Sequence, residues 1–164
     1  MRLDQSVRIS APPQTVWDYL SDPENYLRFM SGLTRWEVVG EKANGLGARY
    51  RILLRVGAAD VGGQIEMVEW SEPFDQAWHS VTGIDQRGRW RIREIGNGHS
   101  KVEFRFAYGV IGGGIAGLIS EFASAPALRS HMRRTLGQLK RQVEHEQRRA
   151  DAERRRSERE TSAA

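Results

Sequence analysis

From Leu33 to Tyr108 the chain alternates apolar and polar residues in short runs, broken by turn residues about every dozen positions, with no stretch of helical period between them. Parallel strands need a long crossover, usually a helix, whereas successive antiparallel strands need only a tight turn. The stretch therefore predicts a meandering antiparallel sheet. The expected strands are 34–42, 46–57, 61–71, 76–83, 87–96 and 100–110, with turns at Asn44-Gly45, Ala58-Ala59-Asp60, Glu72-Pro73, 83–86 and Gly96-Asn97-Gly98. Parity is clearest in Ala48, Tyr50, Ile52, Leu54 and Val56, and in Val102, Phe104, Phe106 and Tyr108, which share one face. Arg49, Arg51, Arg55, Lys101, Glu103 and Arg105 take the other, so one face is apolar and the other charged.

The flanks have different periods. Leu3 to Ser10 alternates as a first strand, with Val7 and Ile9 on one side. Pro12 and Pro13 then suit a helix entry, with Val16, Trp17 and Leu20 on its apolar stripe. Asp22-Pro23 restarts a second short helix, Asp22 as its N-cap and Tyr26, Phe29 and Met30 on one face. After Gly109 a helical stripe runs Ile115, Leu118, Ile119 and Phe122, and after Pro126 another runs Leu128, Met132, Leu136, Leu139 and Val143. Beyond Val143 the apolar stripe ends, but Glu144 with Arg148 and Asp151 with Arg155 sit four apart, as on a helix. A helix from Pro126 to Glu160 would be about 52 Å long, so its last third is expected to project or fray. The expected organisation is a domain over 1–145 and a charged Arg/Glu-rich extension over 146–164, helical or disordered.

At 164 residues the chain fits one domain, and 39% apolar content is enough for a core. The net charge of +4 is unevenly placed: residues 1–128 hold 14 Lys+Arg against 15 Asp+Glu, and residues 129–164 hold 11 against 6. The body is nearly neutral, which argues against nucleic acid as a partner. The absence of cysteine removes disulfides, thiolate metal sites and thiol nucleophiles. The start, Met1-Arg2-Leu3-Asp4, has no apolar leader segment, and no apolar run approaches the roughly 20 residues of a membrane span, so the expectation is a soluble cytoplasmic protein.

The order strand, two short helices, six antiparallel strands and long C-terminal helix resembles the START-like superfamily, the polyketide cyclase/dehydrase and lipid transport (SRPBCC) group with its helix-grip fold. The resemblance is carried by Ser6-Val-Arg-Ile-Ser-Ala-Pro-Pro-Gln-Thr-Val-Trp-Asp-Tyr-Leu-Ser-Asp-Pro-Glu-Asn-Tyr26, by Gly45-Leu-Gly47, and by Glu69-Trp70 followed by Pro73 and Trp78. It covers about residues 3–145, and departs at Arg28-Phe29 and in the charged extension. It implies an α+β fold in which a curved seven-stranded antiparallel sheet grips the last helix, often around a cavity for lipids, sterols or polyketides.

The inward positions fit such a cavity. Trp17, Phe29, Met30, Tyr50, Ile52, Met67, Trp78, Trp90, Phe104, Phe106, Tyr108, Phe122 and Met132 are the candidate ligand contacts, with polar tips from Tyr50, Tyr108 and Ser80. Aromatic residues at strand spacing are also what an ordinary core contains. In strand 76–83, Trp78, Ser80 and Thr82 inward would leave His79 and Val81 outward, and the reverse parity is open.

Catalytic signals are sparse. Gly112-Gly-Gly-Ile-Ala-Gly117 matches G-x-G-x-x-G, but no parallel strand with an acidic end follows, so it reads as a hinge or a close-packing segment rather than a nucleotide loop. His145-Glu146 begins like a zincin helix, but Arg149 stands where the second histidine is needed. No metal site and no cofactor is expected. The candidate acid/base groups are His79 and Glu94, and of the four histidines only His79 and His131 are placed to approach the cavity. The outer sheet face, with Arg35, Arg89, Arg91 and Arg93 among its cations, offers with the tail a weak attraction for anionic membrane, or else a solvated face of cross-strand ion pairs.

The resulting expectation is a carrier or sensor that binds a hydrophobic or amphipathic, lipid- or polyketide-like molecule between sheet and terminal helix. The alternatives are a cyclase/dehydratase-type lyase using groups such as Tyr50, Glu94 or His79, and a peripheral module binding anionic surfaces.

Overall fold

The fold is seen in a computed structural model that describes residues 2–109 and 125–163. The Gly112–Gly117 motif and the stripe from Ile115 to Phe122 lie outside the described residues. The strands are β1 (Arg2–Ile9), β2 (Leu33–Val39), β3 (Arg49–Val56), β4 (Ala59–Ser71), β5 (Asp75–Ser80), β6 (Gln86–Gly96) and β7 (His99–Tyr108). They form one seven-stranded sheet in the order β1-β7-β6-β5-β4-β3-β2, antiparallel throughout. The meander is therefore continuous from β2 to β7, and β1 closes it by pairing with the last strand. This is the α+β helix-grip arrangement.

Turn chemistry sets the register. Asn97 (φ 54°) and Gly98 (φ 72°) form the two-residue connection between Gly96 and His99, the N-G hairpin signal. The β3–β4 hairpin turns one residue earlier than expected, at Gly57-Ala58, with Val56 paired to Ala59, because Gly57 supplies the left-handed conformation (φ 59°). Midway along β4, glycine has a spatial role. A Cβ at Gly62 would come within 2.0 Å of the Ile52 carbonyl oxygen, and one at Gly63 within 2.1 Å of the Thr82 carbonyl oxygen. The sheet's tight curvature here depends on two positions without side chains.

Among the described residues, helices and a 3-10 turn cover the inner face. Helix α1 (Pro13–Ser21) starts on Pro13 and buries Val16, Trp17, Tyr19 and Leu20. Asp22 ends it and caps the next turn, its Oδ1 accepting from the Glu24 amide at 3.0 Å, and a 3-10 turn (Pro23–Asn25) leads into α2 (Tyr26–Phe29). The buried Asn25 side chain donates to the Tyr19 carbonyl at 3.0 Å, locking the two helices together.

Helix α3 runs unbroken from Ala125 to Ala163. Leu128, Met132, Leu136, Leu139 and Val143 are buried along one stripe, each burial contributing about 1.5–3 kcal/mol. The helix is also pinned by polar contacts beyond that stripe. Glu144 Oε1 accepts from the Ser10 amide at 2.9 Å, Lys140 Nζ donates to the Arg8 carbonyl at 2.6 Å, and Thr15 Oγ1 donates to Gln147 Oε1 at 2.7 Å. From Arg148 on, α3 is largely exposed, and its acids and arginines pair along the helix, Asp151 with Arg154 and Glu146 with Arg149. The extension is thus helical to Ala163.

Candidate functional site

The inner face carries a continuous aromatic wall. Tyr26 stacks on Trp36 with ring centres 3.7 Å apart, Trp36 meets Trp78 edge-on at 6.2 Å, and Trp90 stacks on Phe104 at 4.1 Å. Phe104 leads to Phe106 (6.2 Å) and Phe106 to Tyr108 (6.3 Å). Register explains the series: Trp78, Gly88 and Phe106 are neighbours on β5, β6 and β7, and Gln76, Trp90 and Phe104 form the next row. Gly88 leaves room for Trp78 to lie flat across β6.

Packing along the wall is uneven. Where α3 finishes its apolar stripe, Ile9, Val16, Ile92, Val102, Leu139 and Val143 have no exposed surface. Where α3 begins, Met30, Leu33, Phe106 and Tyr108 are only half-buried against the core. Between them lies a pocket of about 40 Å³ lined by Met30, Ser31, Leu54, Phe104, Phe106, Leu128, His131, Met132 and Thr135.

Three polar residues break this apolar lining, and they are tied together. Ser31, on the turn after α2, shares a 3.1 Å hydrogen bond between its Oγ and His131 Nδ1, and its amide donates to Thr135 Oγ1 at 3.0 Å. His131 and Thr135 are one turn apart on α3, so one helix face presents both. Burial, with Arg134 nearby, holds His131 below the usual histidine range, against a hydrogen bond to the Ser31 backbone.

Deeper in the wall the polar tips are shut away from solvent. Burial pushes the Tyr50 phenol up to about 12, and its hydroxyl donates to the Ala43 carbonyl at 2.7 Å. The fully buried Tyr26 phenol is raised further by burial and by neighbouring Tyr50. The indole N–H groups of Trp36 and Trp78 and the Gln76 Oε1 are buried with no hydrogen-bond partner. They surround tightly packed side chains, not an open space.

The expected contacts divide accordingly. Met30, Phe104, Phe106 and Met132 line the pocket, with half-buried Tyr108 beyond Phe106. Trp17, Phe29, Tyr50, Ile52, Met67, Trp78 and Trp90 belong to the solid part of the core, and Phe122 lies outside the described residues. His79 is exposed on the outer face, its neighbours in register being Glu66 and Arg87, and Glu94 is exposed where β6 ends in a bulge. Of the two histidines placed to approach the cavity, His131 does so. Ser31 and Thr135 were not singled out from sequence; a threonine beside the apolar stripe of α3 was the one available sign.

The outer face holds a broad, open depression of about 670 Å³ whose lining includes Arg2, Arg87, Arg89, Arg91 and Arg105. Much of that charge is spent locally. Arg89 pairs with Glu69, Arg105 with Glu103, and Arg89, Arg91 and Arg93 all converge on Asp75. Burial alone would raise Asp75, but hydrogen bonds from Arg91 and Arg93 and their charges hold it below the usual carboxylate range.

Among the described residues, no group of three or more His, Asp or Glu side chains is placed to hold a metal ion, and no helix is long and apolar enough to cross a membrane.

Solved structures share the fold at low identity. The protein TTHA0849 from Thermus thermophilus superposes with a TM-score of 0.72 at 20% identity, over 87% of this chain and 97% of that one. The Zhui aromatase/cyclase from Streptomyces sp. R1128 gives 0.71 at 15% identity, over 88% and 93%. The di-domain ARO/CYC BexL of the BE-7585A biosynthetic pathway gives 0.65 at 18% identity, over 88% of this chain but 46% of that one. No curated protein matches the chain by sequence. The family model described as polyketide cyclase / dehydrase and lipid transport matches residues 1–144, nearly the whole of the folded body, and the chain belongs to that family.

Proposed function

We propose that this protein binds a hydrophobic or amphipathic small molecule, lipid- or polyketide-like, at the inner face of the sheet beside the start of α3, as a carrier or sensor. The observation that carries this reading is the asymmetry of packing along one aromatic wall. Ile92, Val102, Leu139 and Val143 are fully buried toward the end of the α3 stripe, whereas Met30, Phe106 and Tyr108 are only half-covered at or next to the pocket beside its start. Family membership supports it at the coarser level of hydrophobic ligand binding or cyclase activity.

The test has two parts. Native mass spectrometry of protein from its own cells, followed by denaturing extraction, should reveal a stoichiometric apolar ligand. Nile red should bind the purified protein and be displaced by that ligand. Leu54→Trp, which fills the pocket from half-buried β3, should weaken dye binding at least tenfold while keeping the fold. Unchanged binding in this variant would remove the site from this end of the sheet.

The alternative is a cyclase or dehydratase. Its support is the likeness of the fold to the Zhui aromatase/cyclase and to the di-domain ARO/CYC BexL. The pocket offers it His131 as a titratable group, while Tyr50, His79 and Glu94 all lie away from the pocket lining. Turnover of an aromatic poly-ketone substrate that is lost in His131→Phe and retained in Glu94→Gln would favour it.

A further inference from the structure

We infer that Thr135 and Ser31 form a receptor for one neutral oxygen atom of the ligand, so that the preferred ligand is an apolar molecule with a hydroxyl or carbonyl group at its buried end. This rests on the binding reading above and adds the chemistry that selects among apolar molecules.

The hydrogen-bond inventory of the two hydroxyls supports it. Thr135 is 3% exposed, and its Oγ1 accepts from the Ser31 amide at 3.0 Å. Accepting leaves the hydroxyl hydrogen unspent, and a buried donor without an acceptor destabilises the empty pocket. The side chain lines a pocket whose walls, apart from Ser31 and His131, are the apolar side chains of Met30, Leu54, Phe104, Phe106, Leu128 and Met132. Ser31 Oγ spends one of its three hydrogen-bonding positions on His131 Nδ1 at 3.1 Å. Ser31 lines the same pocket. A hydroxyl is both donor and acceptor, so an oxygen placed between the two satisfies Thr135 by accepting and can donate to or accept from Ser31.

The pocket measures about 40 Å³, more than the roughly 10–15 Å³ that one water needs, so it has room for a polar group and the atoms next to it. The carbon body of the ligand then lies along Phe106 and Met30, where the wall is half-covered. Charge narrows the class further. Among the described residues the pocket lining holds no lysine, arginine or carboxylate, burial disfavours the charged form of His131, and the nearby Arg134 is solvent-exposed, so a carboxylate there would be buried with no cation in the lining beside it. A neutral alcohol, phenol or ketone meets no such penalty.

The experiment compares naphthalene, 2-naphthol and 2-naphthoate as probes, with affinities read by fluorescence titration of the full chain at pH 7. The native protein should bind 2-naphthol three- to tenfold more tightly than naphthalene, and 2-naphthoate more weakly than either. Thr135→Val, nearly isosteric, should bring the naphthol-to-naphthalene ratio close to one while changing naphthalene affinity less than twofold. Thr135→Ser should retain the preference, and Ser31→Ala should lower it in part. A full preference surviving in both Thr135→Val and Ser31→Ala overturns the assignment. So does native protein that binds naphthalene with no preference for naphthol, an outcome that leaves the binding reading standing. Failure of the native protein to bind any of the three probes overturns the binding reading together with this one.

Discussion

The indole of Trp78 occupies the space that a side chain at Gly88 would take: a Cβ built on Gly88 would stand 1.9 Å from Trp78 Cζ2 and 2.2 Å from Cε2. The two residues are direct partners across β5 and β6, so the largest side chain of one strand is seated on the bare backbone of the next. That seat brings Trp78 to Trp36 on one side and Phe104 on the other, joining both halves of the aromatic wall. Gly88→Ala should therefore destabilise the fold by about 1–3 kcal/mol through overpacking, and Gly88→Val by more. Because one clash is shared, Gly88→Ala combined with Trp78→Leu should cost less than the sum of the single changes. Urea unfolding followed by tryptophan fluorescence measures all three, and a neutral Gly88→Ala would show that Trp78 has another place to go.

Acid should loosen the joint between α3 and β1. Burial alone would raise Glu144, but the hydrogen bonds from Lys140 and from the Ser10 amide hold it below the usual carboxylate range. A carboxyl depressed in the folded state adds stability above its unfolded value, near 4.3, and that stability is lost as pH falls from there through the folded value. Glu144→Gln should flatten the loss of stability below about pH 4.5 and cost about 0.5–1.5 kcal/mol at pH 7. Thermal melts of the two proteins from pH 7 to pH 3 would show whether the curves converge at the acid end.

On the outer face, removing Asp75 leaves three guanidinium groups side by side. Asp75→Ala should destabilise by about 1 kcal/mol at low ionic strength, because Arg91 and Arg93 lose their shared partner while Arg89 keeps Glu69. At about 0.5 M salt the repulsion is screened and the penalty should shrink. A penalty independent of salt would assign Asp75 a packing role instead.

Truncation locates the functional end of α3. Deleting residues 153–164 should change stability by less than about 0.5 kcal/mol, since residues 153–163 are exposed and, among the described residues, bond only along the helix. Ending the chain at Val143 removes the contacts of Glu144 with Ser10 and of Gln147 with Thr15, and should cost about 1–3 kcal/mol. Equal melting temperatures for the two truncations would mean that the polar joints beyond Val143 add nothing.

The sequence by itself determined the local periods and therefore the architecture. Alternation without an intervening helix left only an antiparallel meander, Asn97-Gly98 placed a hairpin, and the stripe from Leu128 to Val143 specified which face of α3 meets the sheet. These features are local, written within ten or so residues by backbone sterics and side-chain parity. What only the tertiary structure decided was how much space remained between the layers. Met30 and Trp90 carry the same kind of inward signal, yet one borders a pocket and the other is fully buried, because the difference depends on residues from four separate segments meeting at one point. The same holds for Ser31 and Thr135. Their 104-residue separation becomes a 3.0 Å hydrogen bond only when α3 lies back across the sheet. His79 shows the reverse case: its parity was open in the sequence, and the pairing of Trp78 with Gly88 turned it outward because the inward position was already filled by the indole.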